Sequence, residues 1–181
     1  LVNALRAQGV ITLGEQGWQW DTAQIRHFVG SGNVQDLLSA RVAALPAASR
    51  ELLERMSCLG GTVDRAVLRA ATGLSDAELL ERQLAPLEDG LVLAGHGGLQ
   101  FRHDRVQQAV LATLDDDRRA TLQVNMARRM SDMPMLAAQQ YLGGVRALQE
   151  LHEQCSVARL FQDVAAQYSN VASYALAQSY L

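Results

Sequence analysis

The sequence predicts a mainly α chain with small β-hairpins, and three observations carry that reading. Apolar residues recur at helical spacing over most of its 181 residues, as in Val106, Ala109, Val110 and Leu114. Two stretches alternate as strands do and flank glycines: Val10 to Leu13 with Trp18 to Trp20, and Gly90 to Ala94 with Leu99 to Phe101. Helix-start chemistry recurs, clearest in Ser75-Asp-Ala-Glu78, a capping box.

In chain order, residues 1–8 read as the end of a helix. The first hairpin turns through Gly14-Glu-Gln-Gly17, and Trp18 and Trp20 share a strand face that packs in a core or between domains, or stacks a base. Asp21 or Thr22 caps a short helix ending near Gly30 or Gly32. Asn33 caps the next helix, with Val34, Leu37, Leu38, Ala40, Val42 and Leu45 as its apolar stripe. Pro46 opens a further helix carrying Leu52, Leu53, Met56 and Leu59, because proline suits a first turn. Asp64 caps a short helix closed by Gly73. Ser75 opens a second, over 76–85, which Pro86 should end or kink for want of an N–H. The second hairpin then turns through Gly95-His-Gly-Gly98 as a wing. Three helices followed by a two-stranded wing is the order of a winged-helix domain, over roughly 33–104.

Asp104 then reads as a helix cap, with Gln107 reaching back to it. His103 accordingly sits at a strand-to-helix junction, where its imidazole either bonds to nearby backbone or points at something else. Beyond, Asp115-Asp-Asp117 supplies negative charge at a helix start. Helices are expected over 118–131, 134–142, 145–154, 156–168 and 170–181, broken by Pro134, Gly143-Gly144 and Ser156. Ala165, Tyr168, Ala172, Tyr174, Ala177 and Tyr180 alternate small and large, similar to the opening of a tetratricopeptide (TPR)-like solenoid.

Composition excludes several functions. All 16 basic residues are Arg, so there is no P-loop lysine and no lysine nucleophile. A net charge of −3 disfavours an extended nucleic-acid footprint. Helix 76–85 offers Asp76, Glu78 and Glu81 against Arg82 alone, so DNA reading there is disfavoured. Cys58 and Cys155 read as small buried hydrophobes of a reduced compartment, and the histidines show no metal-ligand spacing with them. Arg118 and Arg129 fall near one helical face as an anion patch, or else as a solvated face paired with Asp115, Asp116, Asp117 and Asp132. No apolar run nears the ~20 residues of a membrane helix, and no signal peptide is evident. No nucleophile elbow, paired catalytic carboxylates or metal site is found, so no catalysis is expected. The chain starts at Leu1 and stops at Leu181 within a helical pattern, and is expected to be a piece of something longer.

The run Phe101-Arg102-His103-Asp104-Arg-Val106-Gln107-Gln-Ala109 resembles the HDRVQQA signature of the winged-helix part of signal-transducing ATPases with numerous domains, the STAND class of large sensor kinases and regulators. It is similar also to the wider Met-His-Asp motif, with Arg102 in place of Met. Ser173 to Leu181 keeps most of an Ala-Tyr-rich ending found in the solenoid of that class. The resemblance implies that 1–32 is the end of an ATPase lid region with a hairpin. It implies a winged-helix domain over 33–114 and a helical, TPR-like segment over 115–181. His103 would touch the phosphate of ADP held by an upstream ATPase module, with Asp104 as helix cap. The piece itself would carry no cofactor; ADP or ATP would belong to the parent protein, in the cytoplasm, acting on protein effector domains rather than DNA or membrane. A DNA-binding winged-helix regulator and a protein-interaction scaffold without nucleotide linkage are the alternatives.

Overall fold

Local chemistry places several helix starts and stops in the computed structural model, which describes residues 9–14, 17–25, 33–95, 97–170 and 178–180. Strands β1 (Ile11–Gly14) and β2 (Gly17–Trp20) pair antiparallel, Ile11 opposite Trp20 and Leu13 opposite Trp18. Leu13, Trp18 and Trp20 are 66%, 48% and 61% exposed, so among the described residues this hairpin joins no core, contrary to the first half of the expectation of core or interdomain packing. Asp21 accepts from the Ala23 N–H at 2.7 Å and starts a helical turn. The expected helices at 1–8 and toward Gly30, and the side chain of Asn33, lie outside the described residues.

Helices α1 (Asn33–Ala44) and α2 (Ala47–Leu59) follow, then a three-residue strand β3 (Thr62–Asp64). Helix α3 (Arg65–Thr72) ends where Gly73 takes a left-handed φ of 72°, a conformation glycine adopts without Cβ strain. Helix α4 (Asp76–Glu88) opens with the full capping box: the Glu78 N–H donates to Ser75 Oγ, and Glu78 accepts from the Ser75 N–H. Strands β4 (Val92–Gly95) and β5 (Gly98–Phe101) form the second hairpin, and helix α5 (Asp104–Leu111) leaves it.

The sheet is three-stranded, in the order β3-β5-β4, and β3 is a strand the local pattern does not announce. It exposes Thr62 and Asp64 and buries only Val63, so its existence rests on pairing with Leu99, far along the chain. The two strands approach so closely that a Cβ on Gly98 would stand 2.2 Å from the Val63 carbonyl oxygen. Around this sheet Leu52, Leu53 and Met56 of α2, Leu68, Leu79, Leu91, Val92, Phe101, Val106 and Val110 form one core.

One helix start and one helix end differ from expectation. Asp64 stands at the N-cap of α3 without a side-chain hydrogen bond, its backbone being held in β3 instead. Pro86 neither ends nor visibly interrupts α4, which runs on to Glu88. Proline removes a single N–H there, one turn from the helix end, and its own carbonyl accepts from the Leu91 N–H at 2.9 Å. Burial of Pro86 and the packing of Leu87 on the core hold the last turn in place.

The remainder is helical. Asp115 caps α6 (Asp116–Arg129) by accepting from the Arg118 N–H at 2.7 Å. Then come α7 (Pro134–Gly144), a 3-10 turn (Val145–Ala147) and α8 (Leu151–Asn170). The expected helices 145–154 and 156–168 are thus corrected to a short 3-10 turn and one helix that passes through Ser156. The Ser156 hydroxyl donates to the His152 carbonyl at 3.0 Å, so the side chain is satisfied inside the helix and does not break it. Helices α6 and α7 pack tightly: a Cβ on Gly144 would meet the Ala120 carbonyl at 2.7 Å. Val124, Tyr141, Leu148 and Val157 fill a second core, while Ala71, Met126, Met130 and Ala137 join α3 to α6 and α7. Tyr180 is buried against Phe161, with ring centroids 5.6 Å apart; most of the helix expected over 170–181 lies outside the described residues. Cys58 is half-buried and Cys155 exposed, which corrects the expectation that both are buried.

Candidate functional site

β5 ends at Phe101, which is buried in the sheet core, and α5 begins at Asp104 with Val106 buried beneath it. The chain between must reverse from strand to helix in two residues, so Arg102 and His103 are pushed outward. His103 occupies the N-cap position with extended backbone (φ −148°, ψ 148°), and its carbonyl accepts from the Val106 N–H at 2.9 Å. Its imidazole is exposed and makes no capping hydrogen bond, nor any other contact of that kind among the described residues. The backbone-bonded alternative for this ring is therefore not what the structure holds.

Asp104 is not the cap. It is the first residue of α5, where its carboxylate acts on the positive end of the helix dipole rather than by capping. Gln107 does not reach back either. Its amide donates to the Ser57 carbonyl at 2.9 Å, 50 residues earlier, and fastens α5 to the end of α2. The buried carbonyl near the α2 terminus needs a donor, and Gln107 supplies it.

His103 stands at the mouth of a cavity of about 260 Å³. Val34, Leu37 and Leu38 of α1 line it together with the buried Leu91 and Val106. The rim carries Arg41, Arg102 and Arg105. Arg102 is fixed by donating from Nε to the Gly90 carbonyl at 2.8 Å, a bond possible because the chain turns through Gly90 at φ 64°. Arg41 donates to the Asp89 carbonyl and lies 3.4 Å from the Asp89 carboxylate. The arrangement is an apolar slot with guanidinium groups and an unengaged imidazole at its edge. It can receive an anion at the rim while an apolar or planar group enters the slot.

Other residues singled out by sequence fall elsewhere. On α4, Asp76, Glu78 and Glu81 are exposed; Asp76 pairs with Arg69 at 3.2 Å and Arg82 with Glu51 at 3.7 Å. Ser75 holds the Glu78 carboxyl below the usual carboxylate range. Three of the four α6 arginines find carboxylates, but not chiefly the expected ones. Arg118 pairs with Glu54 and Arg128 with Glu153, while Arg119 takes Asp116 at 3.4 Å. Among the described residues no cluster of His, Cys, Asp and Glu suits a metal, and no helix is long and apolar enough to cross a membrane. Burial pushes the Cys58 thiol up, which lowers its reactivity. Arg41 and Arg102 lie 61 residues apart in sequence and are joined at the slot only by folding. Comparisons with protein families, curated proteins and solved structures find no match to this chain.

Proposed function

We propose that this chain is a non-catalytic regulatory piece of a multidomain signal-transducing ATPase of the STAND class. In it, a winged-helix domain and the start of a TPR-like arm couple the ADP or ATP state of an upstream module to a protein effector. The observation that carries the reading is the free imidazole of His103 at the mouth of an arginine-rimmed slot. A winged-helix reading is supported by the order α2-β3-α3-α4-β4-β5, in which a three-stranded sheet backs the helices. Nucleotide would come from the parent protein, not from this piece, which holds no lysine for a phosphate loop.

His103 donates to the ADP phosphate only when the domains are closed, so it stabilises the resting state and is released when ATP replaces ADP. The test is His103→Ala in the full parent protein, read as ADP affinity and unstimulated output. Loss of a charge-assisted bond of about 1.5–3 kcal/mol loosens ADP roughly 10- to 150-fold and raises resting output. Wild-type ADP affinity together with wild-type resting output would sink the proposal.

A second reading, a protein-interaction scaffold without nucleotide linkage, draws on Leu80 and Leu84. They lie one turn apart on α4 and are 45% and 55% exposed. That face is apolar and acidic, which suits a protein surface better than a phosphate backbone.

A further inference from the structure

Between α2, α3 and α6 lies a cleft of about 470 Å³, separate from the slot beside His103. We propose that this cleft binds a small oxyanion, the phosphate or carboxylate group of a soluble molecule.

Its polar lining is Arg55, Thr72, Asn125, Arg128 and Arg129. No carboxylate lines it, and its side-chain oxygen acceptors are already engaged. The Thr72 hydroxyl donates to the Leu68 carbonyl at 2.5 Å and accepts from the Leu74 N–H at 3.2 Å. Asn125 Oδ1 accepts from Arg128 Nη1 at 3.1 Å, which leaves the Asn125 amide nitrogen as a donor. The cleft therefore presents donors and positive charge.

The charges do not cancel. Arg128 is spent on Glu153, Nε and Nη2 each 2.7 Å from one carboxylate oxygen. Arg55 uses one nitrogen on Glu51, 3.6 Å from its carboxylate, but Glu51 is shared with Arg82 at 3.7 Å. Arg129 has neither ion pair nor hydrogen bond among the described residues. Its guanidinium lies over Gly73, where a Cβ would stand 2.3 Å from Nη1. Gly73 thus does two things: it takes the left-handed turn that ends α3, and it leaves the room that Arg129 occupies. The negative end of α3 accounts for part of Arg129's placement, but it uses none of the five donors of the guanidinium. A planar donor fork beside a second arginine and an amide is the arrangement that binds a two-oxygen anionic edge.

Because the cleft lies where α3 meets α6, an anion there would tie the two together. The test uses the 181-residue chain, titrated calorimetrically with inorganic phosphate and with acetate at ionic strength held constant by sodium chloride. Saturable binding of at least one is expected, weakened at least tenfold in Arg129→Gln and in Arg55→Gln. Arg159→Gln, an exposed arginine on α8 away from the cleft, should bind as the wild type does. Preference for phosphate identifies phosphoryl compounds as the ligand class, and preference for acetate identifies carboxylates. No saturable binding of either, or binding unchanged by Arg129→Gln, overturns the proposal. So does an equal response to added chloride.

Discussion

Arg118 Nη2 sits 2.8 Å and 3.1 Å from the two carboxylate oxygens of Glu54, joining α6 to α2 across 64 residues. The Glu54 side chain is 11% exposed, whereas the Arg118 side chain is 55% exposed. The asymmetry matters more than the distance. Removing the exposed partner strands a buried carboxylate, and that desolvated charge is the larger cost.

Arg118→Ala should therefore destabilise the chain by about 1–2 kcal/mol, a figure discounted for the solvent that screens the arginine. Arg119→Ala, next in sequence and paired with the exposed Asp116, should cost no more than about 0.5 kcal/mol. Urea unfolding of both variants checks the contrast. Equal losses would mean that the Glu54 pair contributes no more than a surface pair.

The start of α5 gives a second contrast. Asp104 contributes only through the helix dipole, while Gln107 holds the Ser57 carbonyl. Gln107→Ala should cost about 1–1.5 kcal/mol and Asp104→Ala about 0.5 kcal/mol or less. If Asp104 were a capping residue the two losses would be comparable, since losing a cap typically costs ~1 kcal/mol.

Glu153 links stability to acid. The Arg128 fork holds its carboxyl below the usual carboxylate range, with Tyr141 adding a hydrogen bond at 3.2 Å. A carboxylate lowered in the folded state contributes stability above its unfolded value of about 4.3, and loses it as pH falls through the lower folded value. Glu153→Gln should thus be less stable than wild type at pH 7, with the gap closing as pH falls below about 4. Thermal melts from pH 7 to pH 3 test this; a gap that stays constant would show that the carboxylate charge is irrelevant.

DNA binding should be weak and salt-sensitive. The outward residues of α4 include Asp76, Glu78 and Glu81, and phosphates would meet them unfavourably. A retardation assay showing tight, sequence-selective binding near physiological salt would restore the DNA-reading alternative.

Features governed by neighbours in sequence were legible before folding. Ser75 and Glu78 cap α4 because a hydroxyl and a carboxylate three residues apart reach each other's backbone N–H. Gly73 ends α3, the β4–β5 hairpin turns between Gly95 and Gly98, and Val106, Ala109, Val110 and Leu114 are buried. Each is fixed by steric or periodic constraints within a few residues. The place of His103 at the junction of β5 and α5 follows from the same local logic, while local sequence left open whether its ring bonds to backbone.

What only the tertiary structure decided were the choices with two acceptable local answers. Gln107 could cap its own helix or reach Ser57, and the unmet carbonyl of α2 settled it. Val63 is too brief a signal to specify a strand, and Leu99 supplied the partner. Ser156 can break a helix or bond within it, and burial of Val157 and Val164 on either side of Leu160 favoured continuity. Arg118 and Arg128 had exposed aspartates nearby in sequence, yet took Glu54 and Glu153. Those two carboxylates are the more buried, and a charge withdrawn from water gains more from a partner than one left in it.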